Sequence, residues 1–260
     1  RQPAEVLPAH LVRHSPLGLP RGGEPDLVRH FVALSVKNHH IDKAIYPLGS
    51  CTMKYNPKVN EEAARLESFR GLHPLQDAAD VQGALEVLWQ LQTALAEITG
   101  MEAFALQPAA GAHGEYLAMK MIRRHFVASG HPERDGIIIP DSAHGTNPAS
   151  AHFAGYEVRE IPSNARGIIG IEELRAHLTP DVAALMMTNP NTLGIFESNI
   201  TSIAEALHAN GSLLYMDGAN LNALLGIVRP GDLGVDVMHL NLHKTFATPH
   251  GGGGPGSGPV

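Results

Sequence analysis

Apolar residues recur at helical spacing in the middle of the chain. Six of them fall at intervals of three or four between residues 80 and 100, with Asp80 placed to cap the start and Gly100 to end the helix. This spacing predicts a helix over 80–100. A second amphipathic pattern predicts a helix over 114–129, and a third helix is expected over 26–40, after a proline-rich start.

From residue 136 onward, short apolar segments alternate with helical patterns. The predicted strands are 136–140, 155–161, 182–188, 212–217 and 235–241. The predicted helices between them are 170–178 and 202–211. Such alternation is typical of an α/β domain whose largely parallel sheet is covered on both faces. We expect residues 76–260 to form this large domain, preceded by an N-terminal arm and loop segment over 1–75.

Composition and charge exclude several classes of function. The 260 residues carry a formal net charge of -7, which argues against a nucleic-acid or anionic-membrane surface. No apolar run approaches membrane-spanning length. The single cysteine, Cys51, cannot form an internal disulfide, so we expect a reducing, cytoplasmic location. Sixteen histidines suggest zinc, but no HExxH motif or thiolate cluster accompanies them, and no metal is expected.

Polar residues follow several of the predicted strands. They are His144, Asn191, Thr192, Asp217, His243 and Lys244. Ligands of open α/β sheets bind beyond the carboxyl ends of the strands. Upstream, QPAAGAHGEY (107–116) places small residues at a helix start, where backbone N–H groups and the helix dipole favour a phosphate. Taken singly, each of these features also has a structural explanation as a turn, a packed histidine or a tight helix start.

Taken together, these residues match the requirements of pyridoxal 5′-phosphate. Asp217 and Lys244 each end their own strand, and a phosphate-sized nest precedes them. A lysine can form a Schiff base with the cofactor, while a carboxylate pairs with its ring nitrogen. The glycines after Lys244 indicate that the backbone approaches another group closely. The sequence therefore predicts an enzyme that uses this cofactor.

Six separated motifs support a closer resemblance. They are YPLGSCTMKYNPK (46–58), QPAAGAHGEY (107–116), DSAHGTNPAS (141–150), TNPNTLGIFE (188–197), YMDGANLNALLG (215–226) and LNLHKTFATPHGGGGPG (240–256). Together they resemble the pyridoxal-phosphate glycine decarboxylases, the P-proteins of the glycine cleavage system. The Ala-Ala-Gly-Ala-His nest resembles the second (β) subunit of the two-chain bacterial type. The resemblance extends from about residue 40 to the end of the chain.

This resemblance implies a fold and a reaction. The fold is α/β, the large domain of the aspartate-aminotransferase type (fold type I) with a mostly parallel central sheet. A smaller C-terminal domain, usual in this fold after the lysine, is expected to be missing here. The activity is that of glycine dehydrogenase (aminomethyl-transferring), an oxidoreductase that releases CO2 from glycine and passes the aminomethyl group to the lipoyl arm of the H-protein. The implied partners are a first (α) subunit, completing a heterotetramer, and the lipoylated H-protein.

The resemblance also implies roles for residues around the cofactor. Lys244 would hold pyridoxal 5′-phosphate covalently and Asp217 would pair with its ring nitrogen. His144 would stack on one face of the ring and Ala219 would lie against the other. The residues expected to hold the phosphate are Ala110, Gly111, Ala112 and Thr245.

Other residues are expected farther from the ring. His243 would assist proton transfer or orient the cofactor, and its alternative is a packed strand-end histidine. Asn191 and Thr192 are expected to line the pocket, with Lys54 and Tyr55 on the substrate side.

Two alternatives stay open on the sequence. One is another fold type I enzyme, either serine hydroxymethyltransferase-like, which shares a similar His-Lys-Thr segment, or an amino-acid decarboxylase. The other is a truncated, non-catalytic subunit. The Lys244–Asp217 pair argues for cofactor binding, whereas the expected lack of a small domain argues against turnover.

Overall fold

The computed structural model describes residues 6–45, 54–250 and 254–260. The chain divides into two compact units, within residues 1–44 and 45–260. The first unit contains a 3-10 turn, Ala9–Leu11, and helix α1, Glu24–Lys37. This helix confirms the one predicted over 26–40. Cys51 and part of the glycine run after Lys244 lie outside the described residues.

The second unit alternates helices and strands. Its helices are α2 (Lys58–Ala64), α3 (Glu67–Arg70), α4 (Gln82–Thr99), α5 (Gly111–Ala128), α6 (Thr146–Phe153), α7 (Ile171–His177), α8 (Ile200–Asn210) and α9 (Leu242–Thr245). Its strands are β1 (Gly136–Pro140), β2 (Glu157–Ile161), β3 (Val182–Thr188), β4 (Leu213–Gly218) and β5 (Val237–Leu240). The predicted strands are confirmed, two of them with identical bounds. The boundary predicted at residue 75 stays a prediction.

One detail of the predicted helix over 80–100 is wrong. Asp80 does not cap α4, because it lies within a preceding 3-10 turn and Val81 occupies the N-cap position without a side-chain hydrogen bond. Asp77 instead caps that 3-10 turn by accepting a hydrogen bond from the Ala79 N–H group. The predicted end is confirmed, since Gly100 adopts a left-handed conformation (φ 74°) at the C-cap.

The five described strands form one sheet in the order β2-β1-β3-β4-β5, and each recorded pairing is parallel. Adjacent residues of a strand face opposite sides of the sheet. In β1, Ile138 packs into one hydrophobic cluster with residues of α4, α7 and α8. Ile137 and Ile139 pack into another, with α5 and α6. This arrangement confirms the prediction of a parallel sheet covered on both faces.

The segment at the end of the chain fixes α5 beside β5. Val260 and Ala105 exchange two backbone hydrogen bonds, of 2.6 and 3.0 Å, and the Leu240 N–H group donates to the Pro259 carbonyl. A Cβ atom on Gly258 would lie 2.0 Å from the Ala110 carbonyl oxygen, so these backbones are in direct contact. The start of α5 is thereby positioned at the carboxyl edge of the sheet.

Replacing Gly218 by alanine is expected to destabilise this edge. Its added Cβ would lie 2.2 Å from the His239 carbonyl oxygen and 2.8 Å from Met238 Cε. Overpacking of this kind costs about 1–3 kcal/mol of unfolding free energy, measurable by urea denaturation of the purified protein. The control is Gly83→Ala in α4, where the added Cβ meets nothing within 4 Å. That variant should be about 0.5–1 kcal/mol more stable. Equal midpoints for both variants would contradict the packing described.

Candidate active site

The carboxyl ends of the strands and the start of α5 surround a cavity of about 730 Å³. The predicted site residues that line it are Gly111, Ala112, His144, Asn191, Thr192, Asp217, Ala219, His243 and Lys244. Ala110, Thr245, Lys54 and Tyr55 lie outside its lining. The structure therefore brings the predicted lysine, carboxylate and helix start to one cavity, while the role of each residue stays a prediction.

Asp217 lies at the floor of this cavity, where its side chain is almost fully buried. Its carboxylate accepts hydrogen bonds from the Ala219 N–H group (2.9 Å) and from Asn147 Nδ2 (3.0 Å). His239 Nε2 lies 3.4 Å from Asp217 Oδ1. Burial alone would raise the pKa of Asp217, but His239, Asn147 and the Ala219 N–H group together hold that pKa below its ordinary value. Asp217 thus presents a buried, ionised carboxylate.

Two buried residues, Tyr215 and His239, form a hydrogen-bonded pair next to Asp217. The Tyr215 hydroxyl lies 2.5 Å from His239 Nδ1, and the two rings are stacked. Burial, followed by the charge of Asp217, raises the pKa of Tyr215, so its hydroxyl stays protonated. Donation of that proton to Nδ1 leaves the imidazole proton on Nε2, facing the Asp217 carboxylate. The register places His239 beside Asp217 in the neighbouring strand.

Lys244 lies in the short helix α9, directly after β5, and is partly buried. Its Nζ atom is 3.2 Å from the Asn241 side-chain oxygen when the Asn241 amide nitrogen donates to the Leu240 carbonyl. The same Asn241 side chain packs on the start of α5, because a Cβ atom on Gly111 would lie 2.2 Å from the nearest atom of the Asn241 side-chain amide. Asn241 therefore links the lysine to the helix start, and glycine is needed at position 111.

Gly111 and Ala112 begin α5, so their N–H groups belong to the first turn, where an α-helix has no internal acceptors. Ala110 is the extended N-cap residue, and its carbonyl accepts from the Gly114 N–H group. Thr245, also predicted as a phosphate ligand, instead donates its hydroxyl to the Asn222 side-chain oxygen. Thus two of the four predicted phosphate residues line the cavity.

The histidines on either side of the cavity differ in burial. His144 is exposed and lies in the turn between β1 and α6. His243 is buried, and its Nδ1 accepts a hydrogen bond from the Gly256 N–H group. Burial, then the charges of His250 and Lys244, lower the pKa of His243. His243 is thus both packed and in contact with the cavity, so neither predicted interpretation is eliminated.

The remaining predicted residues have structural contacts of their own. The Asn191 amide accepts from the Leu193 and Ile195 N–H groups and donates to the Gly167 carbonyl, so it shapes its own loop. Lys54 Nζ donates to the His243 carbonyl at 3.3 Å. Tyr55 is 57% exposed. The substrate-side roles of Lys54 and Tyr55 stay predictions.

The family model described as "Aminotransferase class-V" matches residues 113–253, which is more than half of the chain. The chain belongs to the aminotransferase class-V family.

Two curated relatives of this class-V chain carry the same name. A Kosmotoga olearia protein, "Probable glycine dehydrogenase (decarboxylating) subunit 2", is 60% identical over 100% of this chain and 54% of its own length. A Chloroherpeton thalassium protein of the same name is 62% identical over 99% of this chain and 52% of its own. The chain thus spans about half the length of these curated relatives. The resemblance inferred from the six motifs is confirmed.

Solved structures support the same fold. A glycine decarboxylase (P-protein) of the glycine cleavage system, in inhibitor-bound form, superposes with a TM-score of 0.76 at 22% identity, over 98% of this chain and 56% of that one. An Oryza sativa TDC crystallised with PLP gives a TM-score of 0.70 at 13% identity, over 100% and 60%. At such identities the likeness shows the fold alone. The predicted α/β, fold type I class is confirmed.

Sequence reasoning missed several residues of the class-V site. Glu115, His239 and Asn241 line the cavity, and Tyr215 supports His239. Glu115, Asp217 and His239 offer ligand atoms within 4.8 Å of one another, so the expected absence of a metal stays a prediction. His239 and Tyr215 occupy apolar strand patterns. The signal of His239 was a polar group inside a buried strand next to the one that contains Asp217, and Tyr215 lies two residues before Asp217 in that same strand.

Proposed function

We propose that this chain is the catalytic, cofactor-binding part of a glycine decarboxylase, the P-protein of the glycine cleavage system. The observation that carries the proposal is the convergence of the Lys244 amine, the Asp217 carboxylate and the start of α5 on one cavity. The relatives named as subunit 2 of glycine dehydrogenase support the same assignment. By that name, the chain acts with a first (α) subunit.

The residues present fit pyridoxal 5′-phosphate. A cavity of about 730 Å³ falls within the range of small-molecule sites, on the order of 300–1,000 Å³. The Lys244 amine would hold the cofactor covalently, and the ionised Asp217 carboxylate would pair with its ring nitrogen. The N–H groups of Gly111 and Ala112 would bind the phosphate. When bound, this cofactor supplies an electron-accepting ring that stabilises the carbanion left when glycine loses its carboxylate.

Protein groups around the cavity would orient and protect that chemistry. Asn241 holds the Lys244 amine in place through its side-chain oxygen. His239 and Asn147 keep the Asp217 carboxylate ionised and fixed. His144 and Ala219 would lie against opposite faces of the ring. Because the P-protein reaction transfers an aminomethyl group to a lipoyl arm, one side of the cavity must admit the lipoyl arm of the H-protein.

The proposal also covers location and assembly. We place the protein in the cytoplasm, in a heterotetramer with the first subunit. Within residues 6–45, 54–250 and 254–260, every helix is too short or too polar to cross a membrane.

Labelled glycine tests the proposed reaction. The protein is combined with the first subunit, lipoylated H-protein and pyridoxal 5′-phosphate, and exchange of labelled bicarbonate into the glycine carboxyl group is measured. Exchange that requires all four components is expected. Carrier-independent release of CO2 from another amino acid would favour an amino-acid decarboxylase, and formation of serine from glycine and a one-carbon folate would favour a hydroxymethyltransferase. Cofactor binding without any turnover would indicate a non-catalytic subunit.

A further inference from the structure

Glu115 is a buried acidic residue to which the proposed reaction assigns no task. It lies in the first turns of α5, its side chain is 3% exposed, and it lines the cavity. Its Oε2 atom has no hydrogen-bond partner in the described structure. Burying a carboxyl group is costly unless it is hydrogen-bonded, so the hydrogen bond that Glu115 accepts from Thr146 is informative.

That contact leads to His144. Glu115 Oε1 lies 2.8 Å from Thr146 Oγ1, and Thr146 Oγ1 lies 2.8 Å from His144 Nδ1. The Thr146 backbone N–H group also points at His144 Nδ1, at 3.2 Å. The three side chains form a continuous relay from the buried carboxylate to an exposed imidazole that lines the cavity.

The number of protons decides the direction of this relay. The Thr146 hydroxyl has a single proton, and it donates that proton to Glu115 Oε1. The Thr146 oxygen then acts as an acceptor, and His144 Nδ1 must carry the proton that it donates. The longer contact from the Thr146 backbone N–H group favours the opposite state, in which Nδ1 is an acceptor. The contact through the hydroxyl is the shorter of the two, 2.8 Å against 3.2 Å, and we give it the greater weight.

We infer that Glu115 is a positioning residue that, through Thr146, fixes the proton of His144 on Nδ1. The lone pair of His144 then lies on Nε2, which becomes the acceptor that the ring offers to a donor of the bound ligand. The importance of this state for glycine chemistry rests on the proposed function, whereas the tautomer itself does not.

The charged groups around Glu115 are also those of the site. Asp217 from β4 and His239 from β5 each place a ligand atom within 4.8 Å of a carboxylate oxygen of Glu115. Lys244, whose charge lowers the pKa of Asp217, lines the same cavity. The relay to His144 therefore runs alongside the Asp217 network but uses different atoms.

Nuclear magnetic resonance of the ring nitrogens tests the tautomer without cofactor. The full protein is labelled with 15N-histidine, and His144 is assigned by the signal that His144→Gln removes. At neutral pH, wild-type His144 is expected to carry its proton on Nδ1. In Thr146→Val, which is isosteric, the backbone N–H contact is the interaction that remains at Nδ1, so the proton should move to Nε2. Thr146→Ser keeps the hydroxyl and should retain the wild-type tautomer.

Glu115→Leu supplies an independent second variant. Without the carboxylate, the Thr146 hydroxyl is released to donate to His144 Nδ1, and the proton should again move to Nε2. A wild-type His144 protonated on Nε2, or a tautomer unchanged in both Thr146→Val and Glu115→Leu, would overturn the inference.

Kinetics then connects the relay to the reaction. In the bicarbonate exchange assay, Thr146→Val and Glu115→Leu should lower the maximal rate by about 100-fold, the scale of a positioned acid–base group. If the wild-type protein binds no cofactor, the proposed function fails while the tautomer result still stands. If the cofactor binds and exchange proceeds but the His144 tautomer is the same in the wild type and in both variants, the relay is contradicted while the proposed function stands.

Discussion

Replacing Lys244 with alanine is expected to abolish covalent attachment of pyridoxal 5′-phosphate to this chain. The Lys244 amine lines the cavity, follows β5 directly and is oriented by the Asn241 oxygen at 3.2 Å. An amine held at a partly desolvated strand end is the kind of group that reacts with an aldehyde. The measurement is the visible spectrum of the protein with cofactor, followed by borohydride reduction and mass mapping of the labelled peptide.

Lys120→Ala is the matched control for this experiment. Lys120 is exposed on α5 and is not among the residues lining the cavity. Its variant should keep both the visible band and a label on Lys244. A labelled peptide in Lys244→Ala, or a wild-type label on any other lysine, would show that the cofactor is held elsewhere. Circular dichroism of both variants shows whether the fold is retained.

Local pattern decided which elements of the fold could be predicted. Strands β1 and β3 are continuous apolar segments between polar or proline-containing turns, so their bounds were predicted without error. Helix α9 spans four residues, too few to show helical periodicity, and α6 contains Pro148, which is unfavourable within a helical pattern. Short helices at the sheet edge could therefore be located only in the structure, not predicted from the sequence.

The same reasoning explains which site residues were found. Asp217 and Lys244 were predictable because each is a charged residue at the end of an apolar strand or a few residues beyond it, where ligands bind in such sheets. Glu115 was not, because a polar residue in an amphipathic helix normally faces solvent. Its burial follows from how α5 packs across the sheet, which depends on contacts far apart in sequence, such as that of Gly114 with Gly258.

Replacing Asp217 with asparagine is expected to lower glycine exchange by about 100- to 1,000-fold, the cost of removing one preorganised electrostatic group. Both carboxylate oxygens accept hydrogen bonds, from the Ala219 N–H group and the Asn147 amide. An asparagine would place its own donor against one of these donors and would remove the charge that keeps a bound ring nitrogen protonated. Cofactor affinity, measured by absorbance titration, should fall in parallel.

The control variant is Asp141→Asn. It shows whether the loss of exchange in Asp217→Asn is specific to Asp217 or follows from removing any carboxylate at a strand end. Asp141 directly follows β1 and accepts a hydrogen bond from Ser163, but it is not among the residues lining the large cavity. Because this control makes the same chemical change at the same edge of the sheet, its exchange rate should stay close to that of the wild type. Equal losses in both variants would point to a disturbed sheet edge. A near-normal rate in Asp217→Asn would mean that the ring nitrogen does not depend on this carboxylate, and the proposed orientation of the cofactor would have to be abandoned.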